Sequence, residues 1–218
     1  MRRLTLTLTA LLFATAIPVL LTAQVPTNRP LYPGEQWVRL FNGKDLTNFV
    51  EVGKEKWTVE DGVIHGQGIT AEYGYLRTEK KYKDFWFSMR FKIEADGNSG
   101  IYFHTEFAPG SPNVTQGMQF EIDRTINHHN MGLYGDGRQW IAWPAPEHEQ
   151  VLRPTDWNEA LVKVEGNHMV AVLNGIEVLN FTDPTPKSSD GYISLQLHSG
   201  GQGNMRFKDI YVRDLTIR

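Results

Sequence analysis

The stretch Leu161-Val162-Lys163-Val164-Glu165-Gly166-Asn167-His168-Met169-Val170-Ala171-Val172-Leu173-Asn174-Gly175-Ile176-Glu177-Val178-Leu179-Asn180-Phe181 decides the fold. Two short runs rich in β-branched residues flank Gly166-Asn167 and read as a hairpin. Asn174-Gly175 then turns the chain into a third run. Asn and Gly both tolerate positive φ, which the tightest hairpin turns require. Outward from here the same punctuation recurs at Asn42-Gly43, Asp61-Gly62, Asp96-Gly97, Asp136-Gly137 and Asp190-Gly191. Between the turns lie runs of Val, Ile, Phe, Tyr and Trp, among them Phe85-Trp86-Phe87-Ser88-Met89-Arg90-Phe91-Lys92-Ile93. No stretch carries apolar residues at the helical period of 3.6. Many short strands at regular spacing predict an all-β chain, a β-sandwich or jelly roll of two antiparallel sheets.

The N-terminus reads as a secretory signal peptide over residues 1–23. Arg2 and Arg3 precede an apolar run from Leu4 to Leu21, and Thr22-Ala23 offers small residues for cleavage. The competing reading is a membrane anchor, against which Pro18, the scattered Thr residues and a run of marginal length all argue. A Pro-rich leader follows at 24–33, then one domain over 34–218. The sequence predicts a periplasmic or secreted protein, with no membrane span once the signal is removed. Loss of Arg2 and Arg3 would take the formal charge from -3 to -5. That acidity argues against a nucleic-acid partner, which needs a basic stripe. The chain has no Cys, so a large core must hold it without disulfides. Thiol catalysis and thiolate metal sites are excluded by the same count.

Strand alternation tells which side chains share a face. In Gln119-Phe120-Glu121-Ile122-Asp123, Gln119, Glu121 and Asp123 point one way and Phe120 and Ile122 the other, into the core. The Cα atoms of Glu121 and Asp123 should lie about 6.5–7 Å apart, twice the strand rise. Paired carboxylates suit acid/base work on a glycosidic bond, and mutual repulsion helps keep one protonated. They read otherwise as two solvated carboxylates or a cation site. On Ile101-Tyr102-Phe103-His104 the alternation puts Tyr102 and His104 on one face; Gln196 and His198 share a face of the run ending at His198. His104 and His198 are candidates for acid, base or ligand, set against the commoner hydrogen-bonded structural His.

His128 and His129 are adjacent, so at most one reaches a site, and a loop His128 could touch substrate. Trp140 and Trp143 lie in a loop before Pro144 and read as a sugar-stacking subsite or as loop anchors. Trp57, Trp86 and Trp157 sit in strand-like runs and read as core. Glu147-His148-Glu149 reads as a solvated acidic loop run. There is no GxSxG elbow, HExxH helix, P-loop or dinucleotide glycine motif. Gly200-Gly201-Gln202-Gly203 precedes a strand and reads as a turn.

The segment Gly34-Glu35-Gln36-Trp37-Val38-Arg39-Leu40-Phe41-Asn42-Gly43-Lys44-Asp45-Leu46 resembles the opening of the 3-keto-disaccharide hydrolase family. Trp57-Thr58-Val59-Glu60-Asp61-Gly62-Val63-Ile64 and Asn98-Ser99-Gly100-Ile101-Tyr102-Phe103-His104 are similar to further signatures of that family. Asp156-Trp157-Asn158, Leu173-Asn174-Gly175, Gly191-Tyr192-Ile193-Ser194-Leu195-Gln196-Leu197-His198-Ser199-Gly200 and Met205-Arg206-Phe207-Lys208-Asp209-Ile210 follow in the family's order. The resemblance implies a concanavalin-like sandwich, export, and action on glycosides, including 3-keto glycosides. Gly132-Leu133-Tyr134-Gly135 looks like the family's glycine-tyrosine turn, with Tyr134 placed to stack on a sugar or donate to it. Glu121-Ile122-Asp123 also looks like the core of laminarinase-type glycosidases. The second Glu of that pattern is missing here, since Arg124 and Thr125 follow. Many members of the resembled family carry Arg where this chain has His104.

The leading expectation is therefore a hydrolase acting on carbohydrate, with Glu121, Asp123, His104 and His198 as the catalytic set. Tyr102, Gln119, Tyr134, Trp140, Trp143, Gln196 and His128 are the expected substrate contacts. A divalent cation such as Ca2+, held by carboxylates and His, would stabilise an enolate. A carbohydrate-binding module is the alternative, and an adhesion domain with a flat polar face is the third.

Overall fold

The structure, a computed structural model, describes residues 36–95, 97–126 and 128–217. The signal-peptide and leader readings, residues 1–23 and 24–33, lie outside the described residues. No described helix is long and apolar enough to cross a membrane.

The strands are β1 (Val38–Arg39), β2 (Phe49–Val52), β3 (Lys56–Glu60), β4 (Val63–Gln67), β5 (Gly74–Tyr82), β6 (Phe85–Glu94), β7 (Asn98–Phe107) and β8 (Val114–Asp123). After them come β9 (Leu133–Gly135), β10 (Trp140–Ala142), a short helix α1 (Pro146–Glu149), β11 (Asn158–Glu165), β12 (His168–Leu173), β13 (Ile176–Thr182), β14 (Gly191–Leu197) and β15 (Asn204–Asp214). They form two antiparallel sheets. One runs β13-β12-β11-β6-β15-β4-β3, with β1 also paired to β15; the other runs β10-β9-β8-β7-β14-β5-β2. The predicted hairpins are present. Asn174 and Gly175 take φ 52° and 86° between β12 and β13, and Asp61 and Gly62 take 51° and 77° between β3 and β4. These positive φ values match the turn to the twist of its strands.

Alternation drives the layers together. Phe85, Phe87, Met89, Phe91 and Ile93 of β6 are all buried, as are Ile101, Phe103, Phe120 and Ile122 of β7 and β8. Phe103 and Phe120 stack at 5.1 Å between ring centroids. Each such side chain contributes about 1.5–3 kcal/mol by leaving water. Trp57 is buried against Phe207, while Trp86 and Trp157 are half-buried with the ammonium groups of Lys163 and Lys208 over their rings. The outer face of the second sheet is the polar side of β8, β7 and β14, and it carries the candidate site.

One expectation fails in β7. Alternation would set His104 beside Tyr102, but the pairing with β8 slips after Phe103, and His104 takes φ 50°. This bulge turns the imidazole inward, where it is 1% exposed and meets Phe85 and Phe103 edge-on. Its Nε2 lies 2.7 Å from the Lys83 carbonyl. Burial pulls its pKa below the ordinary His range, although the Lys83 hydrogen bond works the other way. His104 is a wedge in the core, away from the outer face.

Candidate active site

Gln119 and Glu121 rise from β8, flanked by Tyr102 of β7 and Gln196 of β14. Tyr134 of β9 and Trp140 of β10 close one side. Tyr73 and His198 close the other, and Asn98 sits at the end of β7. Together they line a cleft of about 230 Å³. Seven residues expected from the sequence thus converge: Tyr102, Gln119, Glu121, Tyr134, Trp140, Gln196 and His198. A flat polar face, the mark of an adhesion domain, is not what this sheet presents.

Glu121 is 7% exposed. Its Oε2 accepts 2.7 Å from Gln119 Nε2 and its Oε1 accepts 3.1 Å from Asn98 Nδ2. Burial drives its pKa up to about 8; the Asn98 bond partly offsets this, and the charge of Asp123 adds to it. Asn98 Nδ2 also donates 2.9 Å to Asp123 Oδ2, so one amide bridges both carboxylates. Asp123 itself is outside the cleft lining. Burial raises its pKa, but hydrogen bonds from Thr125 N and Asn98 outweigh this and hold it below the ordinary carboxylate range. Two carboxylates two residues apart are therefore driven in opposite directions, which separates an acid/base group from a fixed anion.

The remaining walls are hydrogen-bonding groups with capacity to spare. The side-chain oxygens of Asn98, Gln119 and Gln196 are buried and without a partner. Buried polar groups are normally satisfied, so these three oxygens mark an unusual concentration of unpaired acceptors around the cleft. The Tyr102 hydroxyl accepts from Gln196 Nε2 at 3.3 Å, and its own O–H donates to the Tyr75 hydroxyl. Burial first, then the neighbouring Tyr75 and Glu121, keeps Tyr102 protonated far above the ordinary tyrosine range. His198 Nε2 is 3.4 Å from the Tyr73 hydroxyl, and its Nδ1 is 3.1 Å from the Ser199 carbonyl. Tyr73 rides on a loop pinned by the buried Glu55, which accepts from the backbone N–H groups of Ile69 and Thr70.

Two expected contacts fall beside the cleft. His128 is exposed and its Nδ1 lies 3.4 Å from Asp123 Oδ1. Trp143 stacks on His129 next to Trp140. Glu149, expected on a solvated loop, is buried in α1 and accepts from His129. Asn98 and Tyr73 were not among the expected site residues. Asn98 carried a signal, since it opens the strand that bears Gly100 and Tyr102; Tyr73 carried none. Among the described residues no group of three or more His, Cys, Asp or Glu could hold a metal ion.

Gly100 shapes the cleft from below. It pairs with Glu121 across β7 and β8, and a Cβ there would stand 2.1 Å from Gln119 Oε1. Gly100→Ala is expected to fold with a stability change below about 1 kcal/mol, because the obstructed atom ends a flexible side chain. It should displace the Gln119 amide from Glu121 and lower kcat/KM by ~100-fold. Steady-state kinetics beside a urea melt would check this; unchanged kinetics would remove Gln119 from the machinery. A second depression of about 450 Å³ lies elsewhere on the same sheet, lined by Arg77, Glu106 and Tyr192 among others. Lys81 meets Glu106 there, and Arg77 lies over Tyr192 at 4.0 Å.

Comparison with known proteins fits this geometry. The family model of the 3-keto-alpha-glucoside-1,2-lyase-like domain matches residues 36–213. A 3-keto-disaccharide hydrolase of Bacteroides thetaiotaomicron is 25% identical over 168 residues, which is 66% of this chain. That match spans 58% of the curated relative's length. Among solved structures, a candidate glycosyl hydrolase of Parabacteroides distasonis is 25% identical with a TM-score of 0.65, covering 83% of this chain and 94% of that one. A carbohydrate-binding module of Bacillus subtilis shares the fold at 13% identity and TM-score 0.54, covering 77% of this chain and 96% of its own.

Proposed function

We propose, for a chain that belongs to the 3-keto-alpha-glucoside-1,2-lyase-like family, an exported enzyme that cleaves 3-keto-glycosides by elimination and hydration. The observation that carries the reading is Glu121, a buried carboxyl at the cleft floor with its pKa pushed up to about 8. A ketone at C3 of the sugar acidifies the C2 hydrogen. Glu121, as carboxylate, takes that proton, and the C2–H electron pair moves into an enolate on the C3 oxygen. The enolate then collapses, the C1–O bond breaks, and the leaving oxygen takes a proton from the His198–Tyr73 side or from the newly protonated Glu121. The product is an enone with a hydroxyl on C2. Water adds at C1, C2 regains a proton, and the free 3-keto sugar results. The route needs no carboxylate nucleophile, consistent with Arg124 standing where a laminarinase-type site would continue.

The same surface supports a second reading, a carbohydrate-binding module, because exposed Trp140 and Trp143 suffice to hold a sugar. Incubation of the protein with 3-keto-trehalose and 3-keto-lactose, following release of the free sugars, separates the two. Release at a rate proportional to enzyme is expected. No release, with retention on a polysaccharide column, would replace the enzyme by the binding module.

A further inference from the structure

Glu149 is a buried carboxylate that the proposed chemistry does not use. It is 3% exposed and sits in α1, beyond the strands of the cleft. Its Oε2 accepts 2.7 Å from the His129 backbone N–H, and its Oε1 lies 3.1 Å from His129 Nδ1. These contacts hold His129 at φ 57°, in the left-handed region. The imidazole fixed in this way touches two indoles. Trp140 meets it edge-on at 4.8 Å and 84°, and Trp143 lies nearly parallel to it at 5.3 Å and 24°. Trp140 also meets Tyr134 edge-on and lines the cleft with Glu121. Trp143 is 55% exposed, a large apolar ring left bare beside a polar site. A buried acid, the histidine it holds by two contacts and two indoles packed on that histidine make one platform beside the cleft.

We infer that Glu149 and His129 are positioning residues for a second saccharide subsite, walled by Trp140 and Trp143, that seats the leaving unit of a disaccharide. This rests on the proposed glycoside reading. Pyranose rings present apolar C–H faces to indoles, and a ring bonded to the sugar over Glu121 would emerge past Trp140 toward Trp143. Orientation of the indoles before binding spares the ordering cost that loop aromatics otherwise incur.

The test compares 3-keto-trehalose with methyl 3-keto-α-glucoside, whose leaving group is too small to reach Trp143. In Trp143→Ala, KM for the disaccharide should rise about tenfold relative to KM for the methyl glycoside. Glu149→Gln should show the same split, with a shifted indole emission as the platform loosens. Equal effects on both substrates, or none on either, would overturn the inference. If the parent protein turns over neither substrate, the cleavage reading fails and the subsite is judged by binding alone. Trehalose should then change the indole emission, methyl glucoside should not, and Trp143→Ala should abolish the response. No trehalose response in the parent would overturn the subsite.

Discussion

Replacing Glu121 with Gln is expected to reduce turnover of a 3-keto-glycoside by ~10³-fold, within the range for loss of a general acid–base group, and to stabilise the protein near pH 8. Both effects share one cause. In the folded chain the carboxyl keeps its proton up to about pH 8, against an ordinary value of 4.5. The unfolded chain gives the proton up near pH 4.5, so between these two values the folded state binds more protons. Stability must fall as pH rises through that window, and the favourable share is full only below it. Gln has no proton to lose, so the variant should be flat there. The gap corresponds to a few kcal/mol at pH 8, on the order of 3 after one amide contact is lost. Urea melts at pH 4.5 and pH 8 would show the variant gaining on the parent only at the higher pH. In kinetics, kcat/KM of the parent should climb toward pH 8 as the base ionises, and that limb should vanish in the variant. Full activity in Glu121→Gln would remove this residue from the chemistry. Parallel stability profiles would remove the buried proton.

Gly191→Ala should be the most damaging small substitution in the fold. Gly191 opens β14 at φ 149°, opposite Tyr82 of β5. An added Cβ would stand 2.4 Å from the His104 carbonyl carbon and 2.6 Å from the Thr105 nitrogen. Both are backbone atoms in the bulge, so no rotamer change relieves the clash. The two central strands of the site sheet, β7 and β14, would have to part. A loss of more than about 3 kcal/mol is expected, in the class of overpacking combined with a glycine-only backbone. For a domain of this size that lowers the melting temperature by roughly 10 °C. A calorimetric scan decides it; an unchanged melting temperature would mean that the bulge is free to move. The contrast with Gly100→Ala is instructive, since there the obstructed atom ends a side chain and the damage should appear in kinetics.

The bulge also explains which part of the site the sequence could not reveal. Side-chain alternation has a period of two and is set by the covalent geometry of each residue, so it is legible one strand at a time. Gln119 and Glu121 on one face, with Phe120 and Ile122 in the core, follow from that period alone. The turn pairs are equally local, because positive φ at Asn174-Gly175 or Asp61-Gly62 is a property of those residues. The sequence by itself therefore determined the strands, their buried faces and most of the cleft lining. Only the tertiary structure decided the rest. His104 points inward because the pairing of β7 with β8 slips after Phe103, and Asn98 bridges Glu121 and Asp123 because strand register sets it opposite Asp123, two residues before the partner of Glu121. Glu149 is buried because His129, twenty residues earlier, supplies two nitrogen contacts. Tyr73 reaches His198 across a sequence separation of 125 residues. Register, burial and desolvation are properties of the assembled sheets, and the raised pKa of Glu121 arises only when those sheets exclude water from it.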